Sequence, residues 1–217
     1  MSDFAARRMM MVDTQVRPSD VTKFPIIDAM LDVPRELFVP SEQIEAAYVS
    51  ENVEIAPNRV LLEPRTLAKL LDALNIEKDE LVLDIGAGYG YSSAVIAQMA
   101  EAVIALEEDE TLASEAQTLL TEQNADNVVV HKGPLVQGAS DHGPYDAIVI
   151  QGGVADVPEA ILSQLKEGGR IGCVFMEGAL GVARIGYKLE DEVSWRFAFN
   201  ASAPVIPGFV KQAEFSL

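Results

Sequence analysis

The residues best suited to chemistry lie at one bend of the chain. Gly86, Gly88 and Gly90 follow an apolar run that ends in Asp84, in the sequence LVLDIGAGYGY. The pattern then becomes helical, and a glycine-rich turn between a strand and a helix is where an open parallel sheet usually contacts a ligand. Tyr91 stands where the dinucleotide fingerprint G-x-G-x-x-G requires its third glycine. The turn is therefore an imperfect match to a dinucleotide site.

Two acidic residues indicate which ligand the turn suits better. An ionised Asp84 beside the bend disfavours a pyrophosphate and suits a ligand that carries an ammonium group. Glu107 ends the next apolar run, near the interval of about 20 residues at which an acidic side chain meets ribose hydroxyls. Together these features favour S-adenosylmethionine over NAD. A tight turn that needs positive φ angles and binds no ligand remains the alternative.

The elements around this turn indicate an α/β fold. Near-continuous apolar runs are typical of strands that are covered on both faces. The runs are ELVLDIG, AVIALEE, NVVVHKG, YDAIVIQGG and GGRIGCVFM. Helical patterns lie between them in YSSAVIAQMA, DETLASEAQTLLTEQ and PEAILSQLKEGG, the last with Pro158 near its start and Gly168 as a stop. LGVARIGYKL, VSWRFAFN and KQAEFSL then follow without room for a helix, which predicts an antiparallel end.

The first third of the chain differs from the rest. Ser19 or Asp20 is a candidate cap for a helix whose apolar stripe contains Ile26 and Met30. Pro64 is a plausible first residue of a second helix that leads into the core. We therefore predict one domain, residues 1–217. Its core is a doubly wound, Rossmann-like, mostly parallel sheet over residues 61–217 with a C-terminal antiparallel hairpin, preceded by an N-terminal helical cap and substrate-side segment over residues 1–60.

Composition restricts the partners. The chain has 16 basic and 34 acidic residues and a formal charge of −18, which disfavours nucleic acid and anionic membranes. Cys173 is the single cysteine, so a reducing, cytoplasmic compartment is expected, with a structural thiol in a buried strand. The N-terminus predicts neither a signal peptide nor a membrane span. His131 and His142 are expected to be structural, and no metal site is predicted.

Through MVDTQVRPSDV, AMLDVPRELFVP and the glycine turn, the chain resembles the protein-L-isoaspartate O-methyltransferases from about residue 9 to residue 176. That resemblance implies a Rossmann-like enzyme that uses S-adenosylmethionine to esterify isoaspartyl carboxylates of damaged proteins. By position, Asp84, Gly86, Gly88, Gly90 and Tyr91 would line the methionine end, and Glu107 would hold the ribose. The remaining predicted cofactor residues are Glu108, Gly133, Pro134, Leu135 and Gln151.

The chain departs from this family's pattern in three places. Pro134 replaces the aspartate that accepts a hydrogen bond from the adenine amine, so adenine recognition must rely on backbone groups or stacking. Gln151 begins a Gln-Gly-Gly sequence where Thr-Ala-Ala is common. In the substrate loop Leu62 stands in place of the family serine.

The predicted substrate loop is therefore Leu62, Glu63 and Arg65, with Arg59 on its other flank. Arg65 is the preferred holder of the acceptor carboxylate. A solvated pairing of Arg65 with Glu63 or Asp72 is the alternative.

The expected chemistry makes few demands on side chains. Methyl transfer is an in-line displacement in which alignment supplies most of the rate, and a carboxylate acceptor needs no general base. Two other functions stay open at this point: a related methyltransferase with a different acceptor, and a non-catalytic nucleoside-binding module. The oligomeric state is not predicted.

Overall fold

The computed structural model describes residues 3–210, and its N-terminal part is helical. Helix α1 (Phe4–Met11) continues through a π-helical turn (Val12–Val16) and a 3-10 turn (Arg17–Ser19). Helix α2 (Phe24–Asp32) and 3-10 turns at Arg35–Phe38 and Ser41–Ala46 follow.

The start of α2 corrects one prediction. Lys23 occupies the N-cap and Pro25 lies in the first turn, while Asp20 has a φ of 65° outside the helix. Pro25 suits this position because it lacks the N–H that a first turn leaves unpaired. Ser19 and Asp20 therefore do not cap the helix.

A two-stranded hairpin that we did not predict connects the helical region to the core. Strands β1 (Val53–Ala56) and β2 (Arg59–Leu61) are antiparallel, with Asn58 at a φ of 58° in the turn. Helix α3 (Pro64–Leu74) follows and begins at Pro64, as predicted.

Alternating strands and helices form the core, as the apolar runs predicted. The remaining elements are β3 (Leu81–Ile85), α4 (Tyr91–Ala97), β4 (Ala102–Glu107), α5 (Glu110–Glu122), β5 (Val128–Lys132), β6 (Tyr145–Val154), α6 (Glu159–Leu162), β7 (Leu165–Glu177), β8 (Leu180–Leu189) and β9 (Glu192–Asn200).

These strands make one seven-stranded sheet in the order β5-β4-β3-β6-β7-β8-β9. The first five strands in this order are parallel, and β8 and β9 are antiparallel to their neighbours. One apolar cluster on one side of the sheet contains Val82 and Val103, and a second on the other side contains Leu83 and Ile104. The predicted fold class is confirmed. The carboxyl ends of β3, β4 and β6 meet at one edge, where ligands of such sheets bind.

The connection between β6 and β7 is less helical than predicted. Helix α6 ends at Leu162, and Gly168 lies within β7 at a φ of +78°. The segment after Leu162 joins the sheet instead of continuing the helix, because Tyr145 pairs with Leu165 and donates its amide to the Gln164 carbonyl at 2.8 Å. Gly168 is therefore not a helix stop.

The C-terminal hairpin is confirmed by β8 and β9, whereas the predicted run KQAEFSL falls at residues 211–217, outside the described residues. Within residues 3–210, no helix combines the length and apolar character that crossing a membrane requires.

Candidate functional site

The glycine turn between β3 and α4 is built as its sequence predicted. Gly86, Gly88 and Gly90 have φ angles of 79°, 59° and 93°, a region that L side chains rarely adopt. The amides of Gly86 and Ala87 donate to the Leu106 carbonyl at 2.9 and 3.1 Å, and the Gly90 amide donates to the Ala87 carbonyl at 2.9 Å. These bonds fix the turn against β4.

Asp84 ends β3 beneath the turn and is fully buried. Its carboxylate accepts hydrogen bonds from Ser92 Oγ at 2.6 Å, Ser93 Oγ at 2.5 Å and Gln151 Nε2 at 2.7 Å. Burial raises the pKa of Asp84, and these three donors oppose that rise. The carboxylate thus faces donors of the chain itself, and none of its surface meets the crevice.

Glu107 ends β4 next to the turn and is also fully buried. Arg59 of β2 binds it with both terminal nitrogens, Nη1 at 2.8 Å from Oε1 and Nη2 at 2.5 Å from Oε2. The amides of Gly88, Glu108 and Asp109 donate to the same carboxylate at 2.8, 3.0 and 3.0 Å. The acid that the sequence assigned to a ribose is therefore engaged by five donors of the chain.

Two segments cover the turn. A Cβ added to Gly88 would lie 2.5 Å from Ile55 Cδ1 of β1, so Ile55 rests directly on this glycine. A Cβ on Gly86 would lie 3.4 Å from Arg59 Nη2 and 3.7 Å from Ile206 Cδ1. Ile206 is held there by its amide, which donates to the Gly153 carbonyl at 3.0 Å. The crevice is thus filled by side chains from the β1–β2 hairpin and from the segment that follows β9.

The predicted adenine side is open by comparison. Glu108, Gly133 and Pro134 line a shallow depression with Lys132 beyond the ends of β4 and β5. Leu135 is buried beneath it and donates its amide to Glu108 Oε2 at 3.4 Å. No carboxylate occupies position 134, so only backbone groups and Glu108 offer acceptors there.

The substrate loop directly follows β2 and leads into α3. Leu62 is 1% exposed, and its carbonyl accepts a hydrogen bond from Arg35 Nη2 at 2.7 Å. Glu63 Oε1 accepts a hydrogen bond from Thr66 Oγ1 at 2.6 Å. Arg65 is partly exposed, 3.7 Å from Glu63 Oε1, which makes its guanidinium the accessible cation of this loop.

The Tyr91 ring lies away from the crevice. It is fully buried against Phe38, with ring centroids 5.8 Å apart, and beneath the Arg35 guanidinium at 4.9 Å. Its side chain therefore packs against the helical region, and the place of Tyr91 at the methionine end stays a prediction. The structure does bring Asp84, Gly86, Gly88, Glu107 and Gln151 together, as expected from the strand ends.

Arg59 is the residue whose importance the sequence did not reveal. The sequence predicts only a cation beside the substrate loop, and the structure places Arg59, 4% exposed, inside the crevice. The signal available in the sequence is a lone arginine at the start of the apolar run RVLL. A charge in such a run needs a buried partner.

The fold and the crevice are those of Rossmann-like methyltransferases: a mostly parallel seven-stranded sheet, a glycine turn after its first strand, and acids ending two adjacent strands. The family model for protein-L-isoaspartate(D-aspartate) O-methyltransferase matches residues 7–177. The chain belongs to this family, as its motifs predicted.

Relatives agree with this assignment. The chain is 35% identical to a protein-L-isoaspartate O-methyltransferase of Syntrophus aciditrophicus, covering 79% of this chain and 78% of the relative. It is 34% identical to one of Roseiflexus castenholzii, covering 78% and 77%. The predicted class, an S-adenosylmethionine-dependent methyltransferase, is confirmed through the family.

Two solved structures share the fold. A protein-L-isoaspartate O-methyltransferase superposes with a TM-score of 0.81 at 22% identity over 94% of this chain and 66% of its own. A proposed protein-L-isoaspartate O-methyltransferase from Plasmodium falciparum, solved with S-adenosyl-L-homocysteine, gives 0.77 at 18% identity over 94% and 98%.

The side chains, as placed, do not fit the family's methyl donor. A bound nucleoside would need acceptors on Glu107, which five donors already use, and open surface over Gly88, which Ile55 covers. The backbone of the turn is suited to the donor, whereas Ile55 and Arg59 occupy its place in this arrangement. Among the described residues, no group of three or more His, Cys, Asp or Glu side chains could hold a metal ion.

Proposed function

We propose that this chain is an S-adenosylmethionine-dependent protein carboxyl methyltransferase that esterifies isoaspartyl residues of damaged proteins. The observation that carries the proposal is the family match over residues 7–177, which include both the glycine turn and the substrate loop. Its partner is then a protein or peptide with an isoaspartyl carboxylate. Its compartment is the cytoplasm, which suits a single, buried Cys173.

Arg65 is the residue we propose to hold the acceptor. Its guanidinium lies near the start of α3, where it donates to the Asn200 carbonyl at 3.3 Å and stacks on the Phe199 ring at 5.7 Å. Its pairing with Glu63 at 3.7 Å is long and partly exposed, and such pairs contribute about 0–1 kcal/mol. An incoming carboxylate can replace Glu63 with a shorter, bidentate contact.

The acceptor supplies its own nucleophile. A carboxyl group is ionised at neutral pH, so no base has to remove a proton. The two histidines agree with this, because His131 Nδ1 and His142 Nε2 lie 3.2 Å apart and serve each other rather than the substrate loop. What the loop has to provide is position.

Leu62 favours a second candidate, a methyltransferase with another acceptor. The family serine at this position would offer a hydroxyl, whereas the Leu62 side chain is buried and offers none. The loop keeps its cation and loses a hydrogen-bonding group. The third candidate, a non-catalytic nucleoside-binding module, predicts donor binding without transfer to any peptide.

A transfer assay separates these candidates. We expect radiolabel from S-adenosylmethionine to appear as a base-labile ester on an isoaspartyl peptide and not on its aspartyl counterpart. Arg65→Ala should lower kcat/KM for that peptide at least tenfold, while Arg17→Ala, which removes an exposed paired arginine elsewhere, should leave it unchanged. The proposal fails if no isoaspartate-dependent label forms with the wild type or with the Arg59→Gln variant described below.

A further inference from the structure

We propose that the β1–β2 hairpin is a built-in occupant of the donor crevice, with Arg59 taking the place of the ribose on Glu107. The chain would then hold its own cofactor site closed, and the donor would bind only by displacing Arg59. This inference rests on the proposed function, because it assumes that the donor uses the family's crevice.

The hydrogen bonds of Glu107 support the view that Arg59 takes the place of the ribose. Oε1 accepts from Arg59 and from the amides of Glu108 and Asp109, and Oε2 accepts from Arg59 and from the amide of Gly88. A carboxylate has about four lone-pair sites, so none is left for a pair of ribose hydroxyls. The guanidinium is the partner that can leave, since the three amides belong to the backbone.

Steric contacts point the same way. Ile55 is the next-to-last residue of β1 and rests on Gly88, whose lack of a side chain leaves space that Ile55 fills. Arg59 and Ile55 therefore enter the crevice from one hairpin and cover neighbouring positions of the turn. A movement of this single element would uncover both.

The hydrogen bonding of Arg59 in the crevice is incomplete, although its distances to Glu107 are short. Arg59 Nε is buried and has no hydrogen-bond partner, which costs free energy in the closed arrangement. A depression lined by Asn52, Glu54, Asn58, Val60 and Pro204 lies beside Arg59. The exposed Glu54 carboxylate on this hairpin offers the guanidinium a partner outside the crevice.

The protein should bind the donor more weakly because most molecules have the crevice closed by the hairpin. A ligand that binds only an open form has an apparent Kd equal to its intrinsic Kd divided by the open fraction. Removing the Arg59 guanidinium removes the competitor for Glu107. We therefore expect Arg59→Gln to bind S-adenosyl-L-homocysteine at least tenfold more tightly than the wild type, about 1.4 kcal/mol.

Calorimetric titration of the ligand-free protein with S-adenosyl-L-homocysteine tests this without relying on activity. Arg170→Gln is the matched control, because Arg170 binds Glu80 through the same two-nitrogen geometry, at 2.6 and 2.7 Å, at the opposite end of the sheet. It should lose stability with no gain in affinity. Ile55→Ala is a second test variant that leaves the ion pair intact and should give a smaller gain, which keeps the test valid if Arg59→Gln unfolds.

The outcomes are distinct. A wild type that binds as tightly as both Arg59→Gln and Ile55→Ala overturns the inference and leaves the proposed function standing. Weaker binding by Arg59→Gln than by the wild type also overturns it, because Arg59 would then be a ligand-holding residue. If the Ile55→Ala, Arg59→Gln double variant is folded and binds nothing, the crevice is no donor site and the proposed function fails with the inference.

Discussion

The Arg59–Glu107 pair gives the most informative prediction about stability, tested by a double-mutant cycle. The side chains are 4% and 0% exposed, so solvent screens their attraction little. Breaking a buried pair by removing one partner costs about 3–5 kcal/mol, since the other charge is left uncompensated. The cycle consists of Arg59→Met, Glu107→Gln and the double variant.

The structure assigns different costs to the two single variants. In Arg59→Met the Glu107 carboxylate keeps three backbone amide donors, so we expect the low end of the range, about 3 kcal/mol. In Glu107→Gln the Arg59 guanidinium stays buried without its counter-charge and with Nε already unpaired, so we expect about 4–5 kcal/mol. The double variant buries no charge at this site and should cost less than the sum by about 2–3 kcal/mol.

Urea denaturation at neutral pH measures each free energy of unfolding. The Arg170–Glu80 pair provides a control cycle, because its side chains are 14% and 15% exposed and Arg170 also donates to the Asn75 carbonyl at 2.6 Å. Its coupling should be smaller, about 1 kcal/mol. If the two changes at Arg59 and Glu107 simply add, within about 0.5 kcal/mol, the pair does not form in solution and the closed crevice is refuted.

Four further predictions concern single positions. Because burial raises the pKa of Asp84, the folded state binds a proton there that the unfolded state has lost. The contribution of Asp84 to stability should therefore fall as pH rises above about 4, and the difference in unfolding free energy between Asp84→Asn and the wild type, measured in urea, should change with pH accordingly. Gly88→Ala should lower the free energy of unfolding by about 1–3 kcal/mol because of the positive φ of Gly88, and by a further amount because the new Cβ clashes with Ile55. Adding Ile55→Ala should recover the second part, and an unchanged urea midpoint for Gly88→Ala would contradict the packing. Leu62→Ala should cost about 2–5 kcal/mol in the same assay, and a cost below 1 would mean that the loop is not packed. Cys173 should resist thiol reagents until the protein unfolds, because burial raises its pKa and removes it from solvent; rapid labelling of the folded protein would contradict this.

Local sequence patterns predict the sheet and the edge where its site lies. Strands buried on both faces must be continuous apolar runs, and glycines at positive φ have few substitutes. The buried strands and the glycine turn can therefore be predicted without a structure. Asp84 and Glu107 were found because a residue that ends a parallel strand necessarily lies at that edge. The same local rules failed near Gly168, where pairing of Tyr145 with Leu165 overrode a helical pattern.

The contacts of the site residues follow from long-range packing and could not be predicted from local patterns. Arg59 and Glu107 are far apart in the chain, as are Ile55 and Gly88, and no periodicity reports a contact between separate elements. The short β1–β2 hairpin has too few residues to show a strand pattern, yet its position places a charge and an apolar side chain in the crevice. Burial then makes that placement an ion pair, because desolvated charges must find partners. Local sequence patterns predict where the crevice lies, and long-range packing determines which side chains fill it.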